Sequence, residues 1–288
     1  MIHTLRLDYR PPYDFAALLA FFAKRAIPGV ETVDATSYRR VFALDGAFGS
    51  LTVAALPDAP ALQLRVEIEG PCDLAEINAR VRRMFDLDAD PAAINAALSK
   101  RALLKRCVTK HPGQRLPGGW DGFEIAVRAV LGQQVTVAAA RTLTERVVHK
   151  FGEPAQTRQA GKVYLFPSAR TLVHADLSGL GITGARMRTL REVAQALVDG
   201  RIAFDRAQPL ETFIRSWTAL PGIGDWTAHY LAMRGMSHVD AFPAGDIVLR
   251  RAVTRDGSAI AVPALEEMSQ IWRPYRAYAV MHLWRSTM

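Results

Sequence analysis

Cysteine is nearly absent: Cys72 and Cys107 are the only two in 288 residues, far apart and in no ligand-like spacing. Two such residues cannot build a disulfide framework, an iron–sulfur site or a tetrahedral zinc site, and a reducing cytosol fits them best. Long apolar runs are also missing. The longest near the start, FAALLAFFA at 15–23, is too short to span a bilayer. It follows RPPYD and runs into Lys24 and Arg25, which reads as a buried helix rather than a secretion signal. A cytoplasmic chain with no membrane partner is expected. No repeat of solenoid period and no low-complexity tract occurs, which excludes repeat arrays.

What is plentiful is apolar residues and positive charge. Half the residues are hydrophobic, enough for two or three small domains with real cores. Lys and Arg number 36 against 28 Asp and Glu, a net charge of +8. That balance suits a polyanion partner, nucleic acid first, and equally suits a merely basic soluble protein.

The first hundred residues mix element types. IHTLRLDY, SYRRVFALD, SLTVAAL and LQLRVEIE alternate apolar and polar positions, the pattern of strands. YDFAALLAFFAKRAI reads as a helix capped by Asp14, DLAEINARVRRMFDL as another, and DPAAINAAL as a third with Asp90 and Pro91 at its start. These predict an α+β N-terminal domain over 1–98, an antiparallel sheet with helices. From about residue 99 nearly every element reads as a helix of 10 to 17 residues, so 99–288 is predicted as an all-α core. Its middle subdomain spans about 124–240, and a second combines 99–123 with 241–288. SKRALLKRCVTKHPGQR, 99–115, carries six Lys or Arg and no acid, which suits a phosphate-facing surface or a solvated segment.

LPGIGDWTAHYLAMRG, 220–235, places two glycines around one isoleucine and then starts a helix. Gly222 and Gly224 would let consecutive amides point outward at a helix start, where the dipole favours an anion such as a phosphate. Gly222, Ile223, Gly224 and Thr227 are the candidate contacts. A tight helical corner without a ligand reads the same way.

The rest of the segment is more specific. LPGIGDWTAHYLAMRG, then the loop AFPAG, then Asp246, resembles the helix-hairpin-helix–Gly/Pro–Asp superfamily of base-excision DNA glycosylases. RLPGGWDGFEIAVRAVLGQQVTVAAA, YRPPYDFAALLAFFAKRAI and IWRPYRAYAVMHLW extend the resemblance over essentially the whole chain, to the AlkA-type 3-methyladenine branch. The resemblance implies two helical subdomains with a cleft between them, acting as a monomer on double-stranded DNA with alkylated bases. Bifunctional branches carry a lysine in the helix after the hairpin; here Trp226 stands there, and no lysine occurs from 163 to 288. A four-cysteine cluster is absent too. Both absences imply a monofunctional hydrolase that flips out and excises the base with water as nucleophile.

An alkylated purine is cationic and already a good leaving group. Trp226 and Tyr230, four apart on one helix face, and Trp284 offer electron-rich faces worth about 0.5–2 kcal/mol each. Trp284 and Phe21 match pocket aromatics of the family; aromatics at helical spacing also serve as core. Asp246 would support a developing sugar cation, cap the helix that follows, or do both. Gln134 in LGQQV matches the residue that fills the gap left by the flipped base, where the best-known bacterial relative has leucine; an ordinary exposed glutamine is the other reading. The resemblance implies no required cofactor, and a monovalent cation on the carbonyls of Thr218, Leu220 and Ile223. Two rivals remain: a non-catalytic DNA-binding module, and an enzyme for oxidised or mismatched bases.

Overall fold

The structure, a computed structural model, describes residues 1–155, 162–254 and 256–287. Its N-terminal part holds β1 (Ile2–Asp8), α1 (Phe15–Ala23), β2 (Glu31–Val33), β3 (Ser37–Leu44), β4 (Ala47–Ala55), β5 (Ala61–Glu69) and α2 (Leu74–Met84). The strands form one antiparallel sheet in the order β1-β5-β4-β3-β2. Strict alternation in β4 buries Leu51 and Val53 on one face, where Leu18, Leu19 and Phe22 of α1 and Ile77 and Val81 of α2 cover them. Helix starts follow local chemistry. The Asp14 carboxylate accepts from the Ala17 amide at 3.0 Å and Asp73 accepts from Ala75 at 2.8 Å. β2 is a finding beyond the sequence reading, because three residues carry no periodicity.

The helical part runs α3 (Pro91–Leu98), α4 (Ala102–Lys110), α5 (Gly122–Leu131), α6 (Val137–Phe151), β6 (Pro154–Ala155), β7 (Val163–Tyr164), α7 (Ala169–Val173), α8 (Gly184–Val198), α9 (Leu210–Thr218), α10 (Asp225–Gly235), α11 (Ile247–Ala252), α12 (Val262–Ser269), a 3-10 turn (Gln270–Trp272) and α13 (Arg276–Ser286). α3, expected in the N-terminal domain, packs here instead, with Ile94 and Leu98 in the helical core. α4, α7, α9, α11 and α12, at nine, five, nine, six and eight residues, fall below the predicted 10 to 17. The β6–β7 ribbon interrupts the all-helical expectation. α5 is buried on nearly every side, and its only charged residues, Glu124 and Arg128, are four apart. They join a buried ion network with the N-terminal sheet: Arg40 donates to Glu124 at 3.0 Å, and Arg128 to Glu124 and Glu31 at 2.7 Å each. Removing one partner of such a network leaves an uncompensated buried charge, and the network spans the contact between the two parts.

The basic stretch 99–115 divides. Most of it forms α4, but Arg115 is neither solvated nor phosphate-facing. Its guanidinium is buried and donates to the carbonyls of Arg10, Pro12, Asp86 and Ala89, stitching the N-terminal loop to the α2–α3 connection. No helix among the described residues is long and apolar enough to cross a membrane.

Candidate active site and DNA-facing hairpin

A cavity of about 1030 Å³ opens between the two parts, walled by α1 and the sheet on one side and by α5, α10, the start of α11 and α13 on the other. Phe21, Trp226, Tyr230, Trp284 and Asp246 all line it, as do Gln134, Gly222 and Thr227. Thr218, Leu220, Ile223 and Gly224 lie outside its wall. Seven Lys or Arg side chains against three carboxylates face the cavity, which suits an approaching polyanion.

α10 presents one row of side chains to the cavity. Trp226 and Tyr230 stack with centroids 5.3 Å apart at 12°, and Trp284 lies 6.5 Å from Tyr230 at 43°. The row continues to Arg234, a further four residues on, which the i, i+4 spacing from Trp226 and Tyr230 could have signalled. Arg234 donates to the Pro117 and Gly118 carbonyls and, at 3.2 Å, to the Tyr230 hydroxyl. Arg25 and Arg234 also lie 3.7 and 4.5 Å from the Phe21 ring centroid. Neither is paired with a carboxylate among the described residues. Burial, with Arg25 and Arg128 close by and only Tyr230 opposing, pushes Arg234 down to about 10. Burial lowers Arg25 as well. Burial alone would raise the Tyr230 phenol, yet Arg234, Arg25 and Arg128 outweigh it and leave it below its ordinary value. The inner wall therefore offers aromatic faces beside concentrated positive charge.

Asp246 serves two neighbours at once. Oδ1 accepts from the amides of Val248 and Leu249 at 2.8 and 3.0 Å, capping α11. Oδ2 accepts from the Trp226 indole N–H at 2.8 Å. Both oxygens are thereby aimed, and the charge sits at the edge of the aromatic stack. Asp240, six residues earlier, is gripped by Arg276 at 2.8 and 2.9 Å and by Arg273 at 2.6 Å, a structural tie away from the cavity.

The turn between α9 and α10 separates its two glycines. Gly222 has φ +84°, and a Cβ there would come within 2.0 Å of Thr189 Oγ1. Its need for glycine is internal. Gly224 has φ −91° and ψ 174°, allowed for any residue, with nothing within 4 Å of a built Cβ. As the N-cap it supplies no side chain, so the first amides of α10 stay uncapped. Ile223 needs a correction as an anion contact: its side chain is in the core and its amide donates to the Leu220 carbonyl at 3.1 Å. Thr227 is buried as well.

Gln134 is exposed with φ +55° at the tip of the α5–α6 loop. Its neighbour Gln133, which no local pattern singles out, reaches the Gly222 carbonyl at 2.9 Å and Thr227 Oγ1 at 3.2 Å. One lysine also reaches the cavity: Lys24, at the end of α1, outside the stretch from 163 to 288.

Known proteins resemble this chain along nearly its whole length. Residues 4–121 match the AlkA N-terminal domain, and 127–277 match the HhH-GPD superfamily base excision DNA repair protein family. A probable bifunctional transcriptional activator/DNA repair enzyme AlkA of Mycobacterium tuberculosis is 39% identical over 281 residues. That match covers 98% of this chain and 56% of the relative, so the chain spans about half of that protein's length. DNA-3-methyladenine glycosylase 2 of Escherichia coli is 34% identical over 283 residues, 96% of this chain and 95% of the relative. The solved 3-methyladenine DNA glycosylase of Archaeoglobus fulgidus shares the fold, with a TM-score of 0.81 at 19% identity over 98% of this chain and 97% of that one. With an AlkA-type antiparallel domain, a helix-hairpin-helix core and Asp246 at the cleft between them, the chain belongs to the AlkA family of the HhH-GPD superfamily of base excision DNA repair proteins.

Proposed function

We propose that the chain is a monofunctional DNA glycosylase: it flips an alkylated, cationic base out of duplex DNA and hydrolyses its bond to deoxyribose. The observation that carries this reading is the Asp246 carboxylate, aimed by two amides and the Trp226 indole, beside the Trp226–Tyr230 stack. As the C1′–N bond breaks, its electron pair stays with the base and cancels the base's positive charge, so no general acid is needed. The sugar is left electron-poor, and a preorganised carboxylate stabilises it while water adds to C1′ and loses its proton. The uncapped start of α10 would take a backbone phosphate. A monovalent cation on the carbonyls of Thr218, Leu220 and Ile223 belongs to the same proposal. Its support is that Thr218 ends α9, where carbonyls lack intrahelical partners, although the Leu220 carbonyl in the turn already accepts from Ile223. The protein would work as a monomer on double-stranded DNA in the cytoplasm.

Arg25 and Arg234 favour a second reading of the lesion range. A neutral, carbonyl-bearing base leaves as an anion, and two guanidiniums without carboxylate partners would stabilise it. Incubating the protein with methylated and undamaged duplex and identifying the released bases tests the main reading. Free alkylated base with intact strands, and no borohydride-trapped adduct, is expected. A trapped adduct would make Lys24 the candidate nucleophile and remove the monofunctional assignment. No release would remove the enzyme.

A further inference from the structure

The α5–α6 loop is tied to two other elements at one residue. The Gln133 amide crosses to the hairpin, where Nε2 donates to the Gly222 carbonyl at 2.9 Å and to Thr227 Oγ1 at 3.2 Å. A backbone carbonyl can only accept, which fixes the end of the amide that faces the turn. On the loop's other side, the Gln133 carbonyl accepts from the guanidinium of Arg186, in the first turn of α8. α8 also presents Thr189 to Gly222, the contact that leaves no room for a Cβ. Loop, hairpin turn and α8 therefore meet in one junction around Gln133.

The next residue, Gln134, sits at φ +55°, in the left-handed region that a side chain disfavours. It is exposed at the cavity mouth, followed by Val135 and Val137, which are 37% and 43% exposed. A non-glycine residue keeps such a conformation only where its surroundings over-determine it. The ties on Gln133 supply that constraint. They are internal bonds, so Gln133 has no donor left over for a base or a sugar in this arrangement.

We infer that Gln133 and Arg186 are positioning residues that hold the Gln134 tip at a fixed offset from the hairpin, so that backbone capture and opening of the base pair act as one rigid unit. The inference rests on the proposed glycosylase reading. A nucleotide leaving the stack must be replaced as it leaves, and a loop free to fold back would place its tip there only part of the time. Rigid coupling matters most when the target base is paired. It matters least when the base is already loose.

That difference gives the test. Gln133→Leu and Arg186→Met are compared with wild type in single-turnover release of 7-methylguanine from two duplexes. In one the lesion faces cytosine; in the other it faces a tetrahydrofuran abasic analogue. Loss of the two Gln133 side-chain bonds should slow release from the paired duplex roughly 25-fold, since each is worth about a factor of five. Release opposite the abasic analogue and affinity for undamaged duplex should stay close to wild type. Equal losses on both duplexes would mean a pocket or folding effect and overturn the inference, as would an unchanged rate on the paired duplex. If Gln133→Leu does not fold, Gln133→Met, similar in length and uncharged but without the donors, serves in its place. Failure of wild type on both duplexes would instead remove the glycosylase reading itself.

Discussion

Replacing Asp246 by asparagine separates charge from shape, and the geometry says what else changes. Asparagine can keep its oxygen on the Val248 and Leu249 amides, as Oδ1 does now at 2.8 and 3.0 Å. Its NH2 then replaces Oδ2 and faces the Trp226 N–H, donor against donor, where there is now a 2.8 Å bond. Turning the amide over restores the indole bond and uncaps α11. Either way one donor set at this half-buried site is orphaned, at about 1–2 kcal/mol of stability. The fold survives a loss of that size, seen as a few degrees in melting temperature. The rate should suffer more. Losing one preorganised neutral donor typically costs about 10²–10³, and here a full charge opposite the developing sugar cation disappears, so a loss of ~10³ or more is expected. Single-turnover base release from methylated duplex, with melting temperature and DNA affinity on the same preparation, measures all three. Release within tenfold of wild type from a folded variant would refute the electrostatic role and leave Asp246 as a cap and an indole partner.

Gly224→Leu should cost no more than about 1 kcal/mol, as a poorer N-cap, because nothing lies within 4 Å of a Cβ there. Affinity for undamaged duplex should nevertheless fall, and its dependence on salt should flatten; unchanged titrations would make the turn a mere corner. Arg25→Met should lower release of hypoxanthine, a neutral carbonyl base, relative to 7-methylguanine; an unchanged ratio removes Arg25 from leaving-group stabilisation. Burial raises Asp86 to about 7, against the pull of the Leu116 N–H and the Tyr278 hydroxyl. A folded carboxyl that binds its proton more tightly than the unfolded one stabilises fully at low pH and loses that contribution as pH rises. From pH 4 to 7, wild-type stability should therefore fall relative to Asp86→Asn, by at most ~4 kcal/mol. Parallel urea-unfolding profiles would show that Asp86 is not the titrating group.

What the sequence determined by itself is what neighbouring residues decide. Asp14 and Asp90 are legible as caps because a cap acts within three residues. β4 is legible because alternation is set by the backbone's own pleat. The hairpin, the AFPAG loop and Asp246 are likewise carried on one short stretch, and so is the pairing of Trp226 with Tyr230. Tertiary structure decided the rest. Local chemistry fits Asp246 as a cap; only the fold brings the Trp226 indole to its other oxygen. Gly222 and Gly224 look alike in sequence, yet one is required by Thr189 of a distant helix and the other by nothing inside the protein. Gln133 meets Gly222 across 89 residues and Arg40 meets Glu124 across 84, while Arg234 reaches Phe21 from the other part of the chain. No periodicity encodes such meetings, because side-chain partners far apart in sequence are set by how helices and sheet pack, not by the residues on either side.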